Sequence, residues 1–251
     1  MSVTKYIPDT ITSMNLLCGV IGVIFTLDGR PDIGFILMLG AAVADFFDGF
    51  AARLLHAYSE LGKQLDSLSD LVSFGVLPAL MLHSLIRGGS IVAGWVSYLP
   101  LLYAVGTAFR LAKFNIDTRQ HHSFLGLPCP AAAMICGSFA YIATVAPSSI
   151  FSTLSTSAWF APALAVVLSL LMVSEIPMFA MKFGGGKGEK TPQDTLESIK
   201  RITFFSIAAI SLIVVILIGL PWAAVVLFAF VSYIIINLVF LLKRKDYGQI
   251  S

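Results

Sequence analysis

Charge is what this sequence has least of. Asp, Glu, Lys and Arg make up 12% of the 251 residues, while 57% are apolar, against roughly 25% charged in an ordinary soluble domain. Sixteen basic and fourteen acidic side chains cannot cover one soluble core of this size, so lipid is the expected surroundings. The mean hydropathy of +0.89 agrees. A net charge of only +2 removes any general argument for binding nucleic acid or another polyanion. Cysteine is scarce as well. Cys18, Cys129 and Cys136 are odd in number, lie in apolar stretches and lack CxxC spacing, so they read as small buried hydrophobes and exclude a disulfide framework or a zinc site. The four histidines, His56, His83, His121 and His122, are scattered and read as interfacial or loop residues. No cleavable leader is evident. The apolar run from Ile11 follows a single lysine and is succeeded by further long apolar segments, so it is expected to stay as a membrane helix.

A hydrocarbon core about 30 Å thick requires roughly 20 helical residues. Eight stretches approach that length: residues 12–27, 33–56, 68–86, 92–114, 127–146, 158–183, 202–220 and 222–242. The expected fold is therefore all-α, a polytopic membrane helix bundle of about eight transmembrane helices. The first stretch is short, and only Leu220 and Pro221 part the last two, which leaves open a tilted first helix or a re-entrant hairpin. If the N-terminus is cytoplasmic, fourteen of the sixteen lysines and arginines fall on the inner side and only Arg30 and Arg87 on the outer. That bias matches the positive-inside rule, and an even span count puts both termini in the cytoplasm. Residues 184–201, rich in glycine and charge, read as a mobile inner loop.

Membrane helices avoid acids, because an aspartate near the helix centre costs roughly 2.5–3.5 kcal/mol. Four nevertheless lie close together here. Asp45 and Asp48 fall near the inner end of the second stretch, and Asp66 and Asp70 begin the third. Spacings of three and four residues put each pair on one helix face, and antiparallel neighbours can bring both faces together. Four ionised carboxylates would repel one another unless cations or protons neutralised them. An all-oxygen donor set without cysteine favours Mg²⁺ or Mn²⁺ over zinc, and four carboxylates suffice to bridge two such ions. Gly49, Ala52 and Gly62 remove bulk beside these acids where a base or phosphate must approach, and Arg53 offers a bidentate partner for a phosphate oxygen.

The complete string is Asp45-x2-Asp48-Gly49-x2-Ala52-Arg53-x8-Gly62-x3-Asp66-x3-Asp70. At every defined position it is similar to the signature of the CDP-alcohol phosphatidyltransferases. The resemblance implies a single integral membrane domain over residues 1–251, with a catalytic core at about 8–183 and two extra C-terminal helices at about 202–242. It implies transfer of a phosphatidyl group from a CDP-activated lipid to an alcohol, with release of CMP. Asp45, Asp48, Asp66 and Asp70 would hold two divalent ions, Asp70 would also take the proton of the attacking hydroxyl, and Gly49, Ala52 and Gly62 would form the nucleotide-facing floor. A homodimer in the inner (cytoplasmic) membrane, its active site on the cytoplasmic side, is the implied setting. Residues 8–15 are similar to a P-N-x2-T-x2-N pattern that approaches the nucleotide. Thr12 and Asn15 keep their types, and Asp9 stands where Asn is usual.

Further stretches bear on the acceptor. Residues 106–115 (GTAFRLAKFN), 124–133 (FLGLPCPAAA), 66–79 and 171–177 resemble the bacterial phosphatidylserine synthase branch, with matches from Pro8 to about Lys182. This implies CDP-diacylglycerol and L-serine as substrates. Serine carries a carboxylate and an ammonium, so its pocket needs a fixed cation and a polar acceptor. Arg110, Lys113 and Asn115, at the inner end of the fourth stretch, are the candidates, and membrane anchoring is the alternative role of the two cations. Glycerol 3-phosphate or inositol phosphate are the alternative acceptors, for which Arg110, Lys113 and Arg119 could form a basic pocket. A divalent-cation transporter is the alternative of another class. Glu175, read as lying inside the sixth stretch, has Lys182 as its expected salt-bridge partner. A small-residue face at Gly34, Met38, Ala41 and Ala42 suits helix packing within one chain or between two.

Overall fold

The computed structural model describes residues 6–88, 94–117, 124–179 and 192–248. Lys182, Arg119, His121 and His122 lie outside them.

Two long helices open the chain, α1 (Ile7–Leu27) and α2 (Pro31–Leu54), each with a proline in its first turn, where the missing N–H is no loss. Pro8 thus starts α1 earlier than residue 12 and gives it 21 residues, enough to span a bilayer. The next helical run has three parts, α3 (Glu60–Asp70), a π-helical segment over Leu71–Val76, and α4 (Leu77–Gly88). Ser59 caps α3 by accepting a hydrogen bond from the Gly62 amide at 2.9 Å. The π segment has a local cause. Pro78 lacks an N–H, and its ring crowds the carbonyl four residues back, so the preceding turn opens.

A 3₁₀ stretch, Trp95–Leu101, leads into α5 (Leu102–Ile116). After strand β1 (Phe124–Leu125) come α6 (Cys129–Val145), the short α7 (Ile150–Ser155) and α8 (Phe160–Val173). Strand β2 (Pro177–Met178) pairs antiparallel with β1, Phe124 opposite Met178 and Leu125 opposite Pro177. A hairpin of two long helices, α9 (Pro192–Ile218) and α10 (Ala223–Gly248), closes the chain.

Each expected stretch overlaps a helix, but only five helical runs among the described residues have the length and apolarity to cross a membrane: 7–27, 31–54, 60–86, 195–218 and 223–242. The fourth stretch is divided between 3₁₀ and α geometry around Pro100. The fifth and sixth form apolar helices of 17 and 14 residues, and α8 stops at Val173 because Ser174 is extended ahead of Pro177. Residues 192–201, expected to be loop, are the first turns of α9, with Arg201 and Glu197 paired at 3.3 Å.

The face of α1 toward the bundle reads Pro8, Thr12, Asn15, Gly19, Gly22 and Thr26, a stripe of small and polar residues at spacings of three and four. Its glycines admit close neighbours. A Cβ on Gly34 of α2 would lie 3.1 Å from the Gly22 carbonyl oxygen and 2.9 Å from the Met81 side chain. Gly34, Met38 and Ala41 are therefore used in packing within the chain, with Met38 and Ala41 fully buried. Large apolar side chains remain exposed on α2 (Val43, Phe46, Phe50) and on α9 (Ile202, Ile213, Leu217). Helices apolar on their outer faces as well as their inner ones are those of a membrane protein.

Gly126 and Gly219 both have positive φ, at +78° and +74°. A Cβ on Gly126 would overlap the carbonyl oxygens of Met172 and Ser174, whereas one on Gly219 meets nothing within 4 Å. Gly219→Ala should therefore cost only the backbone term, about 1 kcal/mol, and Gly126→Ala at least about 3 kcal/mol. Thermal unfolding in detergent checks this, and equal losses would contradict the packing described around Gly126.

Candidate active site

Three elements meet where α1 begins, α2 ends and α3 starts. Asp45 and Asp48 come one turn apart on α2, and Asp66 comes from α3 after the connection of residues 55–59. One carboxylate oxygen from each of these three lies within 4.8 Å of the others. Two oxygens on opposite sides of a Mg²⁺ ion at about 2.1 Å stand about 4.2 Å apart, so this spacing suits ligands of a common hard cation. The donor set passes a second test. Oδ1 of Asp66 is buried and has no hydrogen-bond partner among the described residues, a costly state for a carboxylate oxygen unless a cation meets it.

Asp70 stands apart from this trio. Its Oδ1 accepts a hydrogen bond from Asn15 Nδ2 at 3.1 Å, and it is within electrostatic reach of Asp45 and Asp66. Asn15 is itself fixed, because its backbone carbonyl accepts from Ser73 Oγ at 3.0 Å in the π segment. Gly19 lets α1 approach that closely, since a Cβ there would strike Ser73. Thr12 Oγ1 donates to Asp48 Oδ2 at 2.6 Å. The buried polar stripe of α1 thus orients one acid on each neighbouring helix.

Beside the acids opens a cleft of about 500 Å³, within the usual range for ligand pockets. Its walls are Pro8, Asp9 and Thr12 of α1, Asp48, Gly49 and Ala52 of α2, residues 57–59, and Glu60, Gly62, Lys63 and Asp66 of α3. Gly49 faces open space, while a Cβ on Gly62 would sit 2.8 Å from Asp9 Oδ1 and 2.9 Å from Ser59 Oγ. Both glycines and Ala52 line this cleft. Arg53 does not, for it is exposed and its Nε donates back to the Gly49 carbonyl at 2.9 Å. Tyr58, Ser59 and Lys63 join the site without standing out in the sequence as site residues, and Asp9, which stands where Asn is usual, lines the cleft with them. The signal for Tyr58 and Ser59 was the five-residue connection between the two acid-bearing helices, and Lys63 follows near the start of α3.

The expected acceptor residues separate on α5. Arg110 is buried, with its Nε unpartnered among the described residues and its guanidinium 5.1 Å above the Phe114 ring. Lys113 Nζ lies 3.4 Å from Glu175 Oε1 and 3.4 Å from the Val173 carbonyl oxygen. This corrects the placement of Glu175, which lies beyond the end of α8 and meets Lys113. Asn115 Nδ2 donates to Ser67 Oγ at 2.8 Å, and its carbonyl accepts from Lys63 Nζ at 3.1 Å, tying α5 to the cleft.

Membrane-length helices that gather three acids beside a cleft mark a membrane protein with a candidate site for a hard cation. The profile of the CDP-alcohol phosphatidyltransferase family matches residues 5–173, which include all four aspartates, and the chain belongs to that family. A Mycobacterium tuberculosis protein named CDP-diacylglycerol–serine O-phosphatidyltransferase is 36% identical over 186 residues, 70% of this chain and 62% of the relative. The chain thus spans somewhat under two thirds of that protein's length. A Bacillus subtilis protein of the same name is 36% identical over 130 residues, 52% of this chain and 72% of the relative. The archaetidylserine synthase of Methanothermobacter thermautotrophicus is 34% identical over 184 residues, 69% of this chain and 70% of the relative.

Manganese titrated into the purified protein and followed by electron paramagnetic resonance should bind. Asp66→Asn should weaken that binding at least tenfold, and Thr12→Val, which removes the hydrogen bond to Asp48, about tenfold. Unchanged affinity in Asp66→Asn would exclude the trio as the metal site.

Proposed function

We propose that this protein transfers the phosphatidyl group of CDP-diacylglycerol to the hydroxyl of L-serine, forming phosphatidylserine and CMP. The observation that carries the reading is the three-aspartate cluster at the wall of the cleft, in a chain whose relatives bear the names given above. The cleft takes the cytidine and its diphosphate, with Gly49, Ala52 and Gly62 leaving room for them. Mg²⁺ or Mn²⁺, as one or two ions held by Asp45, Asp48 and Asp66 with Asp70 at the edge, would neutralise the diphosphate and stabilise charge on the departing CMP.

The residues of the chain perform the rest. Asp70, oriented by Asn15, accepts the proton as the serine oxygen bonds to the lipid-side phosphorus and the bond from that phosphorus to the CMP oxygen breaks. Such a base is modest, so positioning supplies much of the rate. Thr12 keeps Asp48 turned toward Asp66.

Serine is favoured over a phosphorylated alcohol by the charges on the acceptor side. A phosphate needs several unopposed cations, whereas Lys113 already faces Glu175. One buried guanidinium beside a mixed cation and carboxylate pair suits a zwitterion, with Arg110 taking its carboxylate and Glu175 lying near its ammonium. A transporter is disfavoured because the acids collect at one end of α2 and α3, while the middle turns of the other long helices hold none. The same reading puts both termini and the cleft on the cytoplasmic side of the inner membrane, in a homodimer. The sorting of cations toward one side supports this topology.

The test is purified protein in detergent with CDP-diacylglycerol, Mn²⁺ and labelled serine. Label should pass into lipid with one CMP released per serine, and Asp70→Asn should abolish turnover. CMP release that ignores serine, or none, would sink the reading. Arg110→Lys keeps the charge but loses the planar fork, so it should raise the KM for serine about tenfold, or 1.4 kcal/mol, and leave that for CDP-diacylglycerol within about twofold. Equal effects on both would remove Arg110 from the acceptor pocket.

A further inference from the structure

The helix α10 lies beyond the region matched by the family profile, yet it carries two buried polar side chains whose purpose is local and specific. Tyr233 and Asn237 are each only 1% exposed, and polar groups in an apolar membrane helix are costly unless paired. Both are spent on one residue of another element. Tyr233 Oη donates to the Phe179 carbonyl at 2.9 Å, and Asn237 Oδ1 accepts from the Phe179 amide at 3.1 Å. Asn237 Nδ2 in turn donates to the Tyr233 carbonyl at 2.8 Å, one turn back. Both backbone polar groups of Phe179 are therefore satisfied by α10, and its ring packs 4.7 Å from that of Tyr233.

Phe179 directly follows β2 in the segment that leaves α8. The same segment is stitched on its other side to β1, by the β1 to β2 pairing and by the Gly126 amide donating to the Ile176 carbonyl at 2.9 Å. Just before these attachments sits Glu175, which meets Lys113 of α5 one turn beyond Arg110. Tyr233 is also within electrostatic reach of Arg110. The hydrogen bonds of Tyr233 and Asn237 reach neither the acid cluster nor the cleft.

We propose that Tyr233 and Asn237 form a positioning clamp: α10 grips the backbone of Phe179 and so sets Glu175 against Lys113 on the acceptor side of the site. This rests on the acceptor reading above, in which Arg110, Lys113 and Glu175 receive the amino acid. The clamp acts through the strand and touches no substrate. Its loss therefore changes how the acceptor is held and leaves the CDP-lipid side as it was.

Two measurements on the full chain in detergent separate the clamp from that reading. The first is amide hydrogen exchange over residues 174–179 in wild type, Tyr233→Phe and Asn237→Leu. Exchange there should rise at least tenfold in Asn237→Leu and less in Tyr233→Phe, with residues 7–27 unchanged. Protection of 174–179 equal to wild type in both variants would overturn the clamp, whatever the activity. The second is steady-state kinetics with serine and CDP-diacylglycerol varied in turn. The KM for serine should rise at least threefold in Tyr233→Phe, while the KM for CDP-diacylglycerol and kcat stay within twofold. Faster exchange with both KM values moved equally, or with neither moved, would show a merely structural contact and overturn the proposal. Should wild type prove indifferent to serine, the acceptor reading fails and the positioning role falls with it, while the exchange measurement still decides whether α10 holds the strand. Tyr233→Phe keeps the ring packing, so if Asn237→Leu collapses on purification the milder variant decides the matter by itself.

Discussion

Repulsion among carboxylates is the constraint on which the rest of this structure depends. At separations under 4.8 Å and an effective dielectric of about 20, each pair of ionised acids among Asp45, Asp48 and Asp66 repels by about 3–4 kcal/mol. A helix bundle with few polar groups has little with which to offset that. The compensation visible in the chain is partial: Thr12 donates to Asp48 and Asn15 to Asp70, and Oδ1 of Asp66 is left without a partner among the described residues. A bound hard cation would complete what these hydrogen bonds begin, so the cluster is unfavourable for the protein by itself and would become favourable with a metal ion in place.

The surrounding architecture serves to hold those acids at that distance. α1 contributes none of the three clustered acids, yet its buried stripe orients one aspartate on α2 and one on the run from α3. Its glycines let both neighbours come close enough for those hydrogen bonds. The widened turn after Asp70 has a related effect. It presents Ser73 to the carbonyl of Asn15, so the residue that positions Asp70 is positioned in its turn. On the opposite side, α5 joins the cleft through Lys63, Ser67 and Asn115 and meets the end of α8 through Lys113. The cleft and the end of α8 are therefore linked through α5 by short polar contacts, with the apolar core behind them.

Much of this was legible in the residues, for identifiable reasons. The acids stood out because lipid makes every intramembrane carboxylate expensive, and their spacings of three and four on two neighbouring helices left few ways to arrange them. Each apolar stretch contains helix among the described residues, and five helical runs there have membrane length. Their lengths were less legible, because hydropathy averages over a window and does not register a cap or a single proline: Pro8 lengthened the first helix, and Ser174 ahead of Pro177 cut the sixth short. That shortening moved Glu175 out of the membrane helix and gave it Lys113, a partner 62 positions away that no local pattern announces. Arg53 illustrates a different limit. Its place in the motif was clear, but its folding back onto the Gly49 carbonyl, four residues earlier in the same helix, is a rotamer choice that residue spacing does not specify. The separation of Asp70 from the other three acids likewise depends on Asn15, a contact between distant segments.

The central claim, that Asp45, Asp48 and Asp66 together hold a divalent cation against a diphosphate, is open to direct observation. Crystals grown with Mn²⁺ and CDP, with diffraction recorded near the manganese absorption edge, would locate the metal by its anomalous signal. The account predicts an anomalous peak within about 2.0–2.3 Å of one oxygen from each of these three aspartates, with the diphosphate of CDP at the same peak and its cytidine in the cleft beside Gly49 and Gly62. Manganese bound elsewhere, or CDP held in the cleft with no anomalous peak at the three aspartates, would contradict it.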